Sequence, residues 1–222
     1  MSLRRSIAVA VAIAMIFLHG CAIERPLKIS NLKAIPCINV VRYKSPQLKK
    51  ITLTSKVIIG VGFVAAGAFG GGAAGGIAEK MAIDGGVEMM RKSTLPDFGK
   101  LMTDKFVQRV STEIPGFPPL QLVEEPVGED FAPEAEYLIV LRVYFLQVDD
   151  SGFSVWISAK MTDPSGLMPW LRDYVYKSKD FNRAHTLAEY EAGDGSIFKE
   201  EYYFALDNVV SELVRSLKGS KS

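Results

Sequence analysis

The sequence predicts an α+β fold, a two-layer sandwich in which a three- to four-stranded antiparallel sheet packs against flanking helices. Three strand-like runs follow one another through short turns, at 137–148, 153–162 and 170–178. Apolar side chains at helical spacing mark one helix before these runs and another after them. An apolar, glycine-rich helical segment is expected to precede the sandwich.

The predicted strands rest on alternation and on the turn residues that bound them. The run 153–162 alternates strictly, which indicates a strand with one buried face. Its apolar face would carry Phe153, Val155, Ile157, Ala159 and Met161. Residues 149–152 and 163–166 supply typical turn residues on either side. Three shorter strands are also predicted, at 37–43, 51–55 and 120–124.

Two helices carry apolar residues along one side. The first begins after Pro96 and Asp97, with Ser93 or Thr94 as its expected N-cap, and ends by Pro115. Its apolar side carries Phe98, Met102, Phe106 and Val110. The second closes the chain, and its apolar side carries Tyr202, Leu206, Val209, Val210, Leu213 and Leu217. Because each helix has one apolar side, each is expected to pack on the sheet.

Residues 1–20 have the layout of a secretory signal peptide. Arg4 and Arg5 precede twelve uncharged apolar residues, 7–18. As a helix this run would span about 18 Å, which is too short for a bilayer core of about 30 Å. The segment is therefore expected to direct export and to be removed.

The signal ends in Leu18-His19-Gly20-Cys21, which resembles the lipobox of bacterial lipoprotein precursors, although His19 is bulkier than the residue usual at its position. The resemblance implies that the chain is cut before Cys21, which then carries a diacylglyceryl group and an acylated amine, palmitate being an expected acyl chain. Two or three acyl chains make anchoring stable. Because Ala22 is not Asp, the resemblance implies the periplasmic side of the outer membrane. The alternatives are an ordinary signal peptide followed by a chance cysteine, and an uncleaved anchor.

Changes in composition divide the rest of the chain into three parts. They are a lipidated tether with short strands (21–56), a Gly/Ala-rich apolar segment (57–92) and an α+β periplasmic domain (93–222).

The Gly/Ala-rich segment contains a glycine-zipper pattern. Residues 57–77 carry no charge and include eight glycines. Small residues recur every four positions in two rows, which contain Gly67, Gly71 and Gly75, and Gly72 and Gly76. On a helix each row would form a groove that lets another backbone approach closely. Three structures remain open: a membrane-associated or self-associating helix, a helical hairpin packed on the domain, and a flexible loop.

The mature chain offers little equipment for catalysis. With Cys21 acylated and His19 removed, His185 is the sole imidazole and Cys37 the sole thiol. A nucleophile needs a base beside it and zinc needs several close ligands, and neither pattern is evident, so we expect no catalytic residue, metal or cofactor. Cys37 lies in an apolar run, which favours burial over an intermolecular disulfide. With 26 basic and 25 acidic residues, nucleic acid is not an expected partner.

Trp156 and Trp170 are candidates for a binding patch. If their strands are neighbours, both indoles would lie on the face opposite the row that contains Phe153. A solvent-facing pair would bind a partner, whereas a pair beneath the Gly/Ala-rich segment would only pack against it.

These features predict a membrane-anchored, non-enzymatic lipoprotein that acts as an accessory, scaffold or binding protein of the cell envelope. Residues 95–217 also show a weaker resemblance to small accessory lipoproteins of envelope transport and assembly systems, carried by Asp163, Gly166 and Trp170 before the closing helix. The alternative is a membrane-associated oligomer driven by the glycine zipper, and an enzyme of unknown class is third. The expected partners are the membrane and either an envelope protein or a second copy of the chain.

Cleavage and acylation at Cys21 can be tested together by intact mass spectrometry of the protein extracted from membranes. We expect a chain that begins at Cys21 and is heavier by its acyl groups. Cys21→Ala should lack the acyl mass and leave the membrane fraction, whereas Cys37→Ala should behave like the unaltered protein. A mass that includes residues 1–20, or an unmodified Cys21, would contradict the lipobox.

Overall fold

The computed structural model describes residues 34–52, 72–124 and 137–219 together with Leu27 and Leu32, and for 72–78 it describes the backbone. The strands among these residues are β1 (Ile38–Arg42), β2 (Lys49–Lys50), β3 (Leu120–Glu124), β4 (Leu138–Asp149), β5 (Gly152–Thr162) and β6 (Trp170–Lys177). The α-helices are α1 (Gly72–Lys92), α2 (Phe98–Glu113), α3 (Leu187–Glu191) and α4 (Ser196–Leu217). A 3₁₀ helix (Ser178–Phe181) follows β6.

The described strands form one mixed sheet in the order β3-β1-β4-β5-β6, with β2 pairing with β4 beyond the end of β1. The α+β class is confirmed. The expected sheet of three to four antiparallel strands is not, because only β4, β5 and β6 pair in that way. β1 is parallel to both β3 and β4, and β2 is parallel to β4. The short strands that precede the Gly/Ala-rich segment therefore belong to the same sheet as the later ones.

Helices α2 and α4 cover one face of the sheet. α2 packs over β1, β3 and β4, and α4 packs over β5 and β6. The alternating row of β5 is fully buried beneath them, as the pattern predicts. Tyr202 of α4 lies at the centre of this core, with its ring centroid 5.1 Å from that of Phe98 and 6.2 Å from that of Phe153. One apolar core thus lies between the two helices and the sheet.

Three polar links join β6 to α4 across the core. They are Arg172–Glu212, Tyr174–Asn208 and Tyr176–Glu201. The carboxylates of Glu201 and Glu212 are buried, and each has a second partner. Arg183 pairs with Glu201, and Arg215 pairs with Glu212. Because a buried carboxylate is costly unless it is paired and hydrogen-bonded, these links specify how α4 lies along β6.

A single carboxylate fastens the start of α2 to the connection between β1 and β2. Asp97 Oδ1 accepts from Lys100 N at 2.9 Å, so Asp97 is the N-cap in place of Ser93 or Thr94. The same carboxylate accepts from Ser45 N at 3.1 Å and from Ser45 Oγ at 2.9 Å. The cap therefore also positions a loop that is distant in sequence, which is why local sequence pattern did not single it out.

Helix α1 runs without interruption through Gly85 and Gly86, although glycine weakens a helix interior. The glycines serve close packing: a Cβ on Gly86 would lie 1.8 Å from the carbonyl oxygen of Leu48, just before β2. A Cβ on Gly85 would meet only the flexible side chain of Lys50, at 3.2 Å. The absence of a side chain at Gly86 lets the helix backbone lie directly on this strand.

The glycine-zipper residues fall in two parts of the chain. Gly72, Gly75 and Gly76 lie in the first two turns of α1, whereas Gly67 and Gly71 lie outside the described residues. Within the described part of the chain, no helix is both long enough and apolar enough to cross a bilayer.

The close approach at Gly86 predicts opposite effects of two neighbouring substitutions. Gly86→Ala places a methyl carbon 1.8 Å from the carbonyl oxygen of Leu48, which is a severe overlap, and should lower the free energy of unfolding by about 2 kcal/mol or more. Gly85→Ala should leave it unchanged or raise it by up to about 1 kcal/mol, because Ala is the better helix former. Urea unfolding of both variants measures the difference. Equal effects would contradict the packing described for α1.

The buried tyrosines predict a loss of stability at alkaline pH. Burial raises the pKa of Tyr176 and Tyr202 well above the ordinary value of 10.0, and for Tyr176 the bond to Glu201 adds to the effect. Above pH 10 the unfolded chain releases these protons and the folded chain keeps them, so the contribution of these two tyrosines to stability is constant below pH 10 and falls above it. The slope should be up to about 1.4 kcal/mol per pH unit for each tyrosine. Unfolding free energies from pH 8 to 11 measure this slope, which Tyr202→Phe should reduce; a flat profile would contradict it.

Candidate binding surface on the open sheet face

Helices α2 and α4 pack on the face of β4, β5 and β6 that carries the alternating row of β5, which leaves the second face of these strands without either helix. Strand alternation and cross-strand register place one set of side chains on it: Val41, Leu138, Val140, Arg142, Trp156, Ser158, Lys160 and Val175. We call this surface the open face. Val41, Leu138 and Val140 pack together there as a small apolar group separate from the main core. These three side chains are buried, at 0–8% exposure, so the accessible part of the open face consists mainly of Arg142, Trp156, Lys160 and Val175.

An aromatic cluster of Tyr144, Phe145 and Trp156 stands on the open face. The ring centroid of Trp156 lies 4.7 Å from that of Tyr144 and 5.9 Å from that of Phe145. An irregularity in β4 creates the cluster, because the pairing with β5 steps from Val143 to Phe145 and leaves Tyr144 as an extra residue. Tyr144 is 49% exposed and Trp156 38%, and the neighbouring Val175 is 41% exposed. Rings of this size are seldom left so accessible beside one another unless they contact something.

A shallow cavity of about 270 Å³ adjoins the cluster. Its lining is Tyr43, Leu138, Val140, Arg142, Tyr144, Ser158, Lys160 and Thr162. The guanidinium carbon of Arg142 lies 4.9 Å from the centroid of the Tyr43 ring, which holds the cation over an aromatic face. A cavity of this size accommodates one or two side chains of a partner, and it presents an apolar floor with two cations at its rim.

The charges on this side of the sheet are mainly positive. The register aligns Lys160 with Val140, Asp173 with Ser158 and Lys177 with Ser154. This side of the sheet therefore carries three cations (Arg142, Lys160 and Lys177) and one carboxylate (Asp173). None of these four groups forms an ion pair with another described residue, whereas Arg42, Arg172 and Arg183 all do. Arg142 and Lys160 can thus meet an anionic group without the loss of an ion pair to any described residue.

Trp170 does not belong to this surface, which corrects the expectation of a tryptophan pair. It is fully buried, stacks on Phe106 with 6.2 Å between ring centroids, and donates from Nε1 to Ser216 Oγ at 2.9 Å. The two strands are neighbours, but the register sets Trp170 opposite Met161, and cross-strand partners share a face. Tyr144 and Phe145 take its place beside Trp156, and the irregularity that brings them there has no signature in the alternation of β4.

The remaining candidate residues lie elsewhere. Cys21 is outside the described residues. Cys37 precedes β1 and is half-buried, with Sγ 3.9 Å from Gln121 Oε1, so its expected burial is only partial. His185 is half-exposed, with Nδ1 3.9 Å from Glu189 Oε2. Among the described residues no group of His, Cys, Asp or Glu side chains is arranged to hold a metal ion.

No protein-family model, no curated protein and no solved structure matches this chain. The open face and the sequence around Cys21 are therefore the two features that support a function.

The two tryptophans should differ sharply in their contribution to stability. Trp170→Ala empties a fully buried site and should lower the free energy of unfolding by about 3–5 kcal/mol. Trp156→Ala removes only contacts within an exposed cluster and should cost about 1 kcal/mol or less. Denaturant unfolding of both variants gives the comparison. A large loss for Trp156→Ala would mean that this ring serves folding, and would contradict a role in binding.

Proposed function

We propose that the protein is a membrane-anchored lipoprotein of the cell envelope that holds another envelope protein on its open face, without catalysis. The observation that carries the proposal is the cluster of Tyr144, Phe145 and Trp156, with two of its rings exposed, beside two cations that form no ion pair with another described residue. The anchor is the acylated Cys21 that the lipobox resemblance implies.

The composition of the open face is that of a protein interface. Interface centres are enriched in tyrosine, tryptophan, phenylalanine and arginine, and depleted in lysine and acids. Trp156 and Tyr144 supply large rigid contact areas, and Arg142 supplies planar donors already oriented over Tyr43. Lys160, which departs from this composition, lies at the rim of the cavity.

The charge of the surface specifies the chemistry of the partner. Arg142 and Lys160 border an apolar floor, so the complementary segment carries a carboxylate next to an aromatic or aliphatic side chain. Such a segment would fill the cavity with its apolar group while its carboxylate meets the two cations.

The contacts of His185 support a role without catalysis. Its neighbour Glu189 accepts from the backbone and side chain of Thr186 in the capping box of α3. The imidazole therefore lies beside the capping box at the start of α3. It meets the edge of the buried Tyr190 ring, with 5.5 Å between centroids.

Photocrosslinking in intact cells tests the binding surface. A photoreactive amino acid in place of Trp156 should give one adduct with an envelope protein, and the crosslinked partner peptide should contain Asp or Glu. Ile197 is comparably exposed, at 36%, but lies at the start of α4, so the same substitution there should give no such adduct.

Charge reversal supplies the specificity control for this experiment. Arg142→Glu with Lys160→Glu should reduce the adduct by at least about fivefold, since attraction becomes repulsion. Lys199→Glu, on the exposed surface of α4, should leave it unchanged. An adduct that is unchanged by Arg142→Glu with Lys160→Glu would contradict the proposal. An adduct formed with residues 53–71 or 125–136 of the same chain would also contradict it.

A further inference from the structure

The turn between β5 and β6 carries an unusually exposed apolar pair. Leu167 is 68% exposed, more than any other large apolar side chain in the described part of the molecule, and the adjacent Met168 is 37% exposed. Both lie directly after the turn residues 163–166 and before the start of β6. Isolated apolar residues on a surface need no explanation, whereas two in succession beside a turn form a small exposed apolar patch.

The turn holds this pair outward in a defined geometry. Asp163 Oδ1 accepts from Ser165 N at 2.9 Å, from Ser165 Oγ at 2.6 Å and from Leu167 N at 3.0 Å. Asp163 N donates in turn to Leu167 O at 3.0 Å. These hydrogen bonds fix the backbone of Leu167 to Asp163, so the Leu167 side chain cannot reach the core. Its exposure is a property of the turn itself.

This turn lies at the end of the molecule from which the chain leads back to Cys21. Trp170, which starts β6, donates to Ser216 near the end of α4. Three residues further, Gly219 lies beside Leu27, whose carbonyl oxygen is 3.9 Å from the position of a Cβ on Gly219. Leu27 is buried in the core. The tip of the turn and the first described residue of the chain are therefore at the same end of the sheet.

The start of β1 gives the same position independently. Pro164 of the turn lines a cavity together with Pro36, Cys37 and Tyr137, which lie at the beginnings of β1 and β4. The turn, the C-terminal end of α4 and the start of β1 thus form one end of the molecule, and the turn between β4 and β5 lies at the other.

We infer that Leu167 and Met168 enter the interfacial layer of the bilayer that holds the acyl anchor, and so orient the domain on the membrane. The inference rests on the proposed anchor at Cys21. Leu27 lies six positions after Cys21, which limits the separation of bilayer and domain to about 20 Å. Two apolar side chains bind a bilayer weakly alone, but the tether keeps them next to it at high effective concentration.

The orientation that follows separates two surfaces with different partners. Tyr144 lies six residues along β4 from Leu138, which places the aromatic cluster about 20 Å from the membrane end of the sheet. The aromatic cluster therefore stands clear of the lipid and is accessible to a protein, while the turn contacts the bilayer. The Asp163 carboxylate is held by its hydrogen bonds behind the tip, in the headgroup layer.

Fluorescence quenching on the acylated protein tests this contact. The full chain with Cys37→Ser and Leu167→Cys, labelled with an environment-sensitive fluorophore, is reconstituted on phosphatidylethanolamine–phosphatidylglycerol vesicles that contain a nitroxide-labelled lipid. Acylation consumes the Cys21 thiol, so the label is specific. We expect quenching at Leu167 at least about threefold greater than at Ser151→Cys in the opposite turn, because interfacial apolar groups lie about 5–10 Å below the headgroup boundary. Met168→Cys provides a second position for the label.

Vesicle flotation of the same samples separates the two proposals. Flotation with strong quenching at Leu167 and Met168 supports the inference. Flotation with equal quenching at Leu167, Met168 and Ser151 would overturn the membrane contact and leave the anchor intact. Failure to float would overturn the anchor, and with it the contact, because nothing would then hold the turn beside a bilayer.

Discussion

Burial of one sheet face under α2 and α4 is the interaction on which the rest of the structure depends. The alternating row of β5 supplies the floor of the core, and Tyr202 fills its centre between Phe98 and Phe153. Because the apolar driving force is proportional to the area removed from water, this layer contributes most of the stability. The paired carboxylates of Glu201 and Glu212 add specificity, since each tolerates burial in only one register of α4 on β6.

One-sided burial also determines what the other face can do. Successive residues of a strand point to opposite faces, so the register that buries Trp170 exposes Trp156. The same residue type thus contributes to the core at one position and to a binding surface at the other. The irregularity at Tyr144 enlarges that surface without disturbing the core row, because Leu146 and Val148 resume the buried face beyond it.

Local sequence patterns predicted the main helices and strands well, but they predicted little of how distant strands pair. The bounds of β3 and the buried faces of β5, α2 and α4 follow from alternation, helical spacing and turn residues. The position of β1 between β3 and β4 does not, because its partners lie about 80–100 residues away and nothing in its five residues identifies them. Asp97 and Gly86 likewise act through contacts with Ser45 and Leu48 that lie far off in sequence. Of the candidate site, Trp156 was predicted, whereas its ring partners depend on a register shift.

Hydroxyl-radical footprinting of the two tryptophans tests the central claim, that the open face is free in the protein and covered by a partner in the envelope. In the purified protein we expect rapid oxidation of Trp156 and protection of Trp170. In native membranes Trp156 should become protected as well, while the exposed Ile197 on α4 keeps its reactivity. Equal oxidation of Trp156 in both samples would show that no partner covers the face, and protection already in the purified protein would show that the chain covers it itself.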